Sequence, residues 1–285
     1  MSYVISLSTA TLIFIVLLIS VNIQWGSIGL VTLSTAAFAG IGAYSTIYFA
    51  SALHIHGILP ALAGIALTGL VSLVVSSVIF RFRGLYLIIT TLAFQYLAQN
   101  VFDNWSAFTR GSLGVTNVRA ILGGAPTGDA VVFAVTATCT LIVLLVAGRF
   151  IYHAQFGVTL QAVQDDEIAA QSIGLSPYTL KLAGFMAASM IAALGGILLA
   201  LHLDYVNPGV FSLEESVFLL GGVIVGGRGT LLGSVCGGIF LICIPECLRF
   251  MPLPVSLFAE LRQVLYGLVL LVFLIRWPEG LVPRS

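Results

Sequence analysis

Charge is what this chain has least of. Of its 285 residues only 8% are Asp, Glu, Lys or Arg, where a soluble domain carries about 25%. No charged residue precedes Arg81, so everything before it is embedded in a membrane or pressed against one. The formal net charge is zero and the pI is near 6.9, which removes the basic face a nucleic-acid partner would need. Lysine occurs once, at Lys181, and there is no Gly-Lys-Ser/Thr sequence, so the chain has no Walker A phosphate loop. Any ATP hydrolysis, with its Mg, belongs on separate subunits, and no cofactor is expected in this chain. Cysteine is sparse too. Cys139, Cys236, Cys243 and Cys247 fall in apolar stretches, the last two on one helix face across Pro245, and read as small packing residues rather than metal ligands. The run 1–25 lacks the basic n-region of a secretory signal and is expected to remain as a first span.

What the chain does have is apolar length: 59% of residues are hydrophobic and the mean hydropathy is +1.12. Stretches near the roughly 20 residues that cross a hydrocarbon core lie at 4–20, 27–51, 58–80, 84–102, 130–148, 181–202, 214–227, 231–249 and 257–276. The expected fold is an all-α polytopic membrane protein of about nine transmembrane helices, with residues 1–285 forming a single transmembrane domain. The stretch 27–51 is long and rich in Gly, Ser and Thr, and 214–227 is short, so both are expected to be broken or re-entrant. Gly222 and Gly226, then Gly229, Gly233 and Gly237, recur every fourth residue. Such small faces let membrane helices pack closely, and a gating interface is the alternative reading.

One polar island interrupts this pattern, from Gln161 to Gly174, with Asp165, Asp166 and Glu167 side by side. Acids favour the positive end of a helix and Asp caps free N–H groups, so a short helix is expected over 165–173. Gly174 should close it in a left-handed conformation, and Ser176-Pro177 should cap and start the next helix. Ala170 and Gly174 are four apart and share a face that another backbone could approach. A plain hydrophilic loop with a helical turn is the blander reading. Before the island, Arg149 closes a span and Phe150, Tyr152 and His153 supply interfacial aromatics. If the island is cytoplasmic, Arg81, Arg83, Arg149, Lys181, Arg228, Arg276 and Arg284 share its side, against Arg110, Arg119, Arg249 and Arg262. That bias follows the positive-inside rule and puts the N-terminus outside and the C-terminus inside.

Glu167-Ile-Ala-Ala-Gln-Ser-Ile-Gly174 resembles the cytoplasmic coupling motif of ABC importer permeases, a short helix that docks into a groove of the ATPase. Arg83-Gly-Leu-Tyr-Leu-Ile-Ile-Thr-Thr-Leu-Ala-Phe94 resembles a segment of the branched-chain amino acid permeases, specifically the LivM-type subunit. Gly226-Gly-Arg-Gly-Thr-Leu-Leu-Gly233 resembles their Gly-Gly-x-Gly-Thr-x-x-Gly turn, with Ser234 where many members carry proline. Pro278-Glu-Gly-Leu281 resembles their C-terminal ending, and the blocks run in family order. The resemblance implies the LivH/LivM permease family: a transport subunit rather than an enzyme, in the bacterial inner membrane. Branched-chain amino acids are then the solute, or a related small polar one, since the family also moves urea and short amides. The implied partners are two ATP-binding subunits, a second LivH-type permease and a periplasmic solute-binding protein. Asp165, Asp166, Glu167, Ala169, Ala170 and Gly174 would then couple the ATPase to the membrane part, within a segment of about 150–180.

Other polar residues carry weaker signals. Thr90, Thr91 and Gln95 sit inside a span, where they either line a solute path or bond their own helix. His54 and His56 are two imidazoles without a third ligand. Asp204, Glu214 and Glu215 could dock a binding protein or simply face water. The main rival is a secondary transporter driven by an ion gradient. That design favours ionisable groups at mid-membrane, and here the charges cluster near span ends. An intramembrane enzyme would need paired acids or a nucleophile motif at matching depth, and a stand-alone channel would give a docking helix no task.

Overall fold

The computed structural model describes residues 2–123, 128–149, 154–249, 267–268, 271–272, 275–276 and 280–282. In hydrocarbon no water is available to backbone N–H and C=O groups, so apolar stretches coil into helices that satisfy them internally. Helix α1 (Ser2–Asn22) runs on through a π-helical turn, Ile23–Ser27. Then come α2 (Thr35–Leu53), α3 (Ile58–Ile79) and α4 (Leu85–Asn104). Two short helices, α5 (Ser106–Thr109) and α6 (Val118–Gly123), flank the two-residue strand β1 (Val115–Thr116). Helix α7 (Asp129–Ala147) leads into α8 (Gln155–Asp165) and α9 (Glu167–Ser172). The long α10 (Pro177–Leu203) is followed by β2 (Tyr205–Val206), α11 (Leu213–Gly226) and α12 (Leu231–Arg249). Hydroxyls inside the spans bond carbonyls one turn back, as Thr136 does to Val132 (2.7 Å) and Ser189 to Phe185 (2.8 Å).

Among the described residues six helices are long and apolar enough to cross a membrane: Tyr3–Ser27, α2, α3, α4, α7 and α10. They answer to the first six expected stretches. The seventh and eighth are a joined pair rather than two straight rods, because Leu213–Gly226 and Leu231–Cys243 are bent by 120° at Gly227–Thr230. Most of the ninth stretch, 257–276, lies outside the described residues. The expected break in 27–51 falls at 28–34, a non-helical passage before α2. Irregular backbone at such a place is tolerable only when buried in protein. Here Leu33 N–H donates to Thr91 Oγ1 (3.2 Å) and Leu30 N–H to the Gln24 carbonyl (2.8 Å).

Helix α10 is the hub and packs on α1, α2 and α3. Its Phe185 is fully buried, edge-on to Phe38 (5.6 Å) and Phe80 (5.8 Å). Beside the rings the helices touch through small residues. A Cβ on Gly196 would strike the Ala39 carbonyl, and one on Gly42 would strike Ala193. The four-residue glycine rows do the same between α11 and α12, where Gly237 abuts the Gly222 carbonyl and Gly226 abuts that of Gly233. This is the close-packing reading of those rows.

The bundle has two distinct ends. At the island end, Gly29 abuts Gln164, Gly148 abuts Leu231, and Leu281 N–H donates to the Val225 carbonyl (2.9 Å). At the far end, β1 and β2 pair antiparallel with Val115 opposite Val206, and Gly57 N–H donates to the Leu122 carbonyl (2.7 Å). Arg119 fastens that end: its guanidinium donates to the Leu201 and His202 carbonyls (both 2.9 Å) and to Asp129 (2.8 Å). Asp204 is absorbed there as well, accepting from Arg119 N–H (2.8 Å). Its carboxylate ties the fold rather than standing free for a binding protein. His56 is likewise engaged, donating from Nδ1 to the Ile121 carbonyl (2.9 Å).

Candidate functional site

Two polar constructions stand out, one at the island end and one inside the bundle. At the island end the acidic triplet is divided. Asp165 is the last residue of α8, Asp166 stands at the break, and Glu167 begins α9. The expected helix thus starts two residues later than its first acid. The reason is local: Asp166 adopts an extended conformation, and its Oδ1 accepts from Ile168 N–H (2.8 Å) and Ala169 N–H (3.0 Å). A side chain that caps two amides must lie outside the helix. The closure is as expected. Gly174 has φ +86°, its N–H donates to Gln171 O (3.0 Å), and Leu175 N–H donates to Ala170 O (3.1 Å). This is a Schellman terminator, which a β-branched residue at Gly174 would strain. Ser176 and Pro177 then open α10, although the Ser176 hydroxyl bonds Thr179 rather than a backbone amide.

Glu167 is not a free acid. Its carboxylate pairs with Lys181 of α10 and, at 3.4 Å, with Arg83 in the turn before α4. The segment is therefore tied both to α10 and to the turn that precedes α4. The three side chains border a cleft of about 450 Å³ whose other walls include Gly29, Leu30, Phe80 and Ile88. Ala170, expected on the open face with Gly174, is only 3% exposed. It turns inward because α9 rests on α8 and α10. The outward face carries Ile168 (80% exposed), Ala169 and Ile173 (74% exposed), with open space around Gly174. Two large aliphatic side chains, one on α9 and one at its C-cap, are thus exposed at this end of the bundle. The sequence does not single them out, because which side of α9 stays exposed is set by its packing on α8 and α10. Phe150, Tyr152 and His153 lie outside the described residues.

Inside the bundle, Thr91 and Gln95 are fully buried and hold other elements in place. Gln95 Oε1 accepts from Ala37 N–H in the first turn of α2 (2.8 Å) and from the Ser216 hydroxyl of α11 (3.2 Å). Its Nε2 donates to the Phe211 carbonyl (2.8 Å), and Ser216 Oγ accepts from Ala36 N–H (3.0 Å). The free amides that begin α2 are thus capped by side chains from α4 and α11. Thr90, one residue earlier, points away and bonds only Tyr86 O of its own helix (2.8 Å). The three residues therefore do not form one wall.

A second buried clasp was missed altogether. Asn22, at the end of α1, accepts from Gly229 N–H (2.6 Å) and donates to Thr230 O (2.7 Å) and Ser234 Oγ (2.8 Å). A Cβ on Gly26 would run into the Gly229 backbone, and one on Gly280 into Gly227. The glycine turn and Gly280-Leu281 therefore meet each other and α1, with Ser234 serving the clasp. An asparagine set between Ser20 and Gln24 near the end of the first apolar run was the available signal. Among the described residues no group of three His, Cys, Asp or Glu side chains converges on a metal position. Cys139, Cys236 and Cys243 are free thiols, and the side chains of Pro245 and Cys247 lie outside the described residues.

A multi-helix membrane bundle with broken helices stitched by neutral polar residues, and one strapped helix offered at its end, defines a multi-pass transport permease. Residues 3–274 match the family described as branched-chain amino acid transport system / permease component, and the chain belongs to it. It is 29% identical to the high-affinity branched-chain amino acid transport system permease protein LivM of Escherichia coli (strain K12), over 99% of this chain and 70% of that protein. LivM of Salmonella typhimurium is equally similar, at 29% over the same shares. A shorter likeness, 32% over 47% of this chain and 40% of the relative, links it to the autoinducer 2 import system permease protein LsrC of Klebsiella pneumoniae. No solved structure matches the chain.

Proposed function

We propose that the chain is the transmembrane subunit of an ATP-driven importer for branched-chain amino acids or a related small polar solute, in the bacterial inner membrane. The whole of 1–285 acts as one permease domain, with the island in the cytoplasm, the N-terminus outside and the C-terminus inside. The observation that carries this reading is α9, a short helix tied through Glu167 to α10 and to the turn before α4 while Ile168 and the C-cap Ile173 are exposed. Two ATP-binding subunits, which supply ATP and Mg, dock on that aliphatic face. Their closure pushes α9, and the two ionic straps carry the push to α4 and α10. Asp165, Asp166, Ala169 and Ala170 shape and support the docking helix, and Gly174 sets its end. A LivH-type permease completes the membrane part, and a periplasmic binding protein delivers the solute to the far end.

The experiment compares the lone chain with the assembled complex in liposomes. The lone chain should show neither ATPase activity nor ion-gradient-driven uptake, and the complex should import leucine when ATP and loaded binding protein are present. In the complex, Ile168→Asp with Ile173→Asp should abolish recovery of the ATP-binding subunits while membrane insertion is normal. Gradient-driven uptake by the lone chain would overturn the proposal in favour of a secondary transporter.

A further inference from the structure

Arginines fasten both ends of the bundle, and they do so unequally. At the far end the Arg119 side chain is 18% accessible, and it donates to two carbonyls and, at 2.8 Å, to Asp129. At the island end the Arg83 side chain is 89% accessible, and its guanidinium meets Glu167 Oε2 through Nη2 at 3.4 Å. A pair so long and so exposed contributes little and opens easily. The other carboxylate oxygen, Oε1, is taken by Lys181, whose side chain is 17% accessible. The strap therefore has a closed half on Lys181 and an open half on Arg83.

The open half borders the cleft of about 450 Å³. Among the described residues its charged side chains are Arg83, Glu167 and Lys181, and Leu30, Phe80, Leu87 and Ile88 give it an apolar wall. Both signs of charge beside such a wall complement a small molecule with two charges at one end and an aliphatic group at the other. We propose that the cleft binds a free aliphatic α-amino acid, which enters between Arg83 and Glu167. Its carboxylate takes the guanidinium in a two-point contact, and its ammonium donates to Glu167 Oε2. Its side chain lies on the apolar wall. A zwitterion adds no net charge to the cleft, whereas a simple carboxylate would meet Glu167 and a simple amine would meet Arg83 and Lys181. The inference rests on the permease reading and adds a second amino-acid site, on the side where imported solute accumulates. With Arg83 occupied, α9 keeps its tie to α10 and loses the one to the turn before α4. Imported solute thereby slows its own import.

The test uses the full complex in inside-out membrane vesicles, with the cysteines of this chain replaced by alanine. One reporter cysteine replaces Val31 in the cleft, and a control replaces Ser172, exposed outside it. The reagent is a charged, membrane-impermeant methanethiosulfonate. Leucine in the millimolar range should slow modification of Val31→Cys by about fivefold or more and leave Ser172→Cys unchanged. Neither isoamylamine nor isocaproate, each with one of the two charges, should protect. Arg83→Gln should abolish the protection. Leucine on the cytoplasmic side should lower ATPase activity where Arg83 is present and not in Arg83→Gln, each variant being compared with its own leucine-free rate. Equal reaction of Val31→Cys with and without leucine, or equal protection by isocaproate, would overturn the site in complexes that retain the ATP-binding subunits. Failure of the native complex to import leucine would remove the permease reading and the self-limiting role, while the cysteine rates would still decide the site.

Discussion

The chain uses polarity in two opposite ways. Around Gln95 and Asn22 it is neutral, buried and satisfied by backbone groups that broken helices leave open. Around Glu167 it is ionic and partly exposed, with Arg83 89% and Lys181 17% accessible at their side chains. The difference follows from solvation. A buried amide recovers its hydrogen bonds locally, whereas a buried ion also needs a counter-charge and still bears a desolvation cost. Neutral clasps therefore hold the architecture, and ionic straps sit where water reaches them and where a partner can load them.

That contrast can be broken deliberately, starting with the largest effect on stability. Gln95→Leu should destabilise most, because Ala37 N–H and Phe211 C=O lose their partner together; about 2 to 5 kcal/mol is expected. A lowered thermal midpoint in detergent and a reduced membrane yield would register it. Asn22→Leu should follow at about 1 to 3 kcal/mol, since the buried Gly229 N–H is left unpaired. Limited proteolysis at the 227–230 turn should accelerate in that variant. Gly174→Val should cost about 1 to 2 kcal/mol for a side chain held at positive φ. There is open space around the residue, so the cost is conformational and Gly174→Asn should recover most of it. Glu167→Gln should move thermal stability least, by about 1 kcal/mol or less, since water screens much of this partly exposed pair; Glu167→Lys should cost more than Glu167→Gln. The effect of Glu167→Lys on ATP-driven uptake should exceed that of Gly174→Asn, because three cations would then meet where two straps were. An equal loss of stability in Gln95→Leu and Glu167→Gln would erase the distinction between clasp and strap.

The sequence carried the apolar lengths, the island and its glycine stop, because each rests on local chemistry. The short stretch 214–227 also announced a broken or re-entrant piece, which is what α11 and α12 form; only the 120° angle was missing, since apolar length does not record the direction in which a chain returns. The helical start at Glu167 rather than Asp165 depended on which of two adjacent aspartates rotates out to cap. Thr90 and Thr91 show the limit most directly. Neighbours on a helix point about 100° apart, so identical side chains met opposite surroundings, and only the packing of α2 against α4 told them apart. Ala170 is a similar case, since its burial is set by α8 and α10 rather than by its own turn.

Lys181 is the chain's only lysine, and its ammonium sits in the strap that joins α9 to α10. Apart from the α-amino terminus, amine chemistry therefore addresses a single atom of the subunit. Reductive methylation with ¹³C-formaldehyde and a borohydride as hydride donor would convert it to a ¹³C-dimethylamine reporter, with no engineered substitution. The chemical shift of that signal, followed through the nucleotide cycle of an assembled complex, would give a spectroscopic reading of whether the joint is engaged or released.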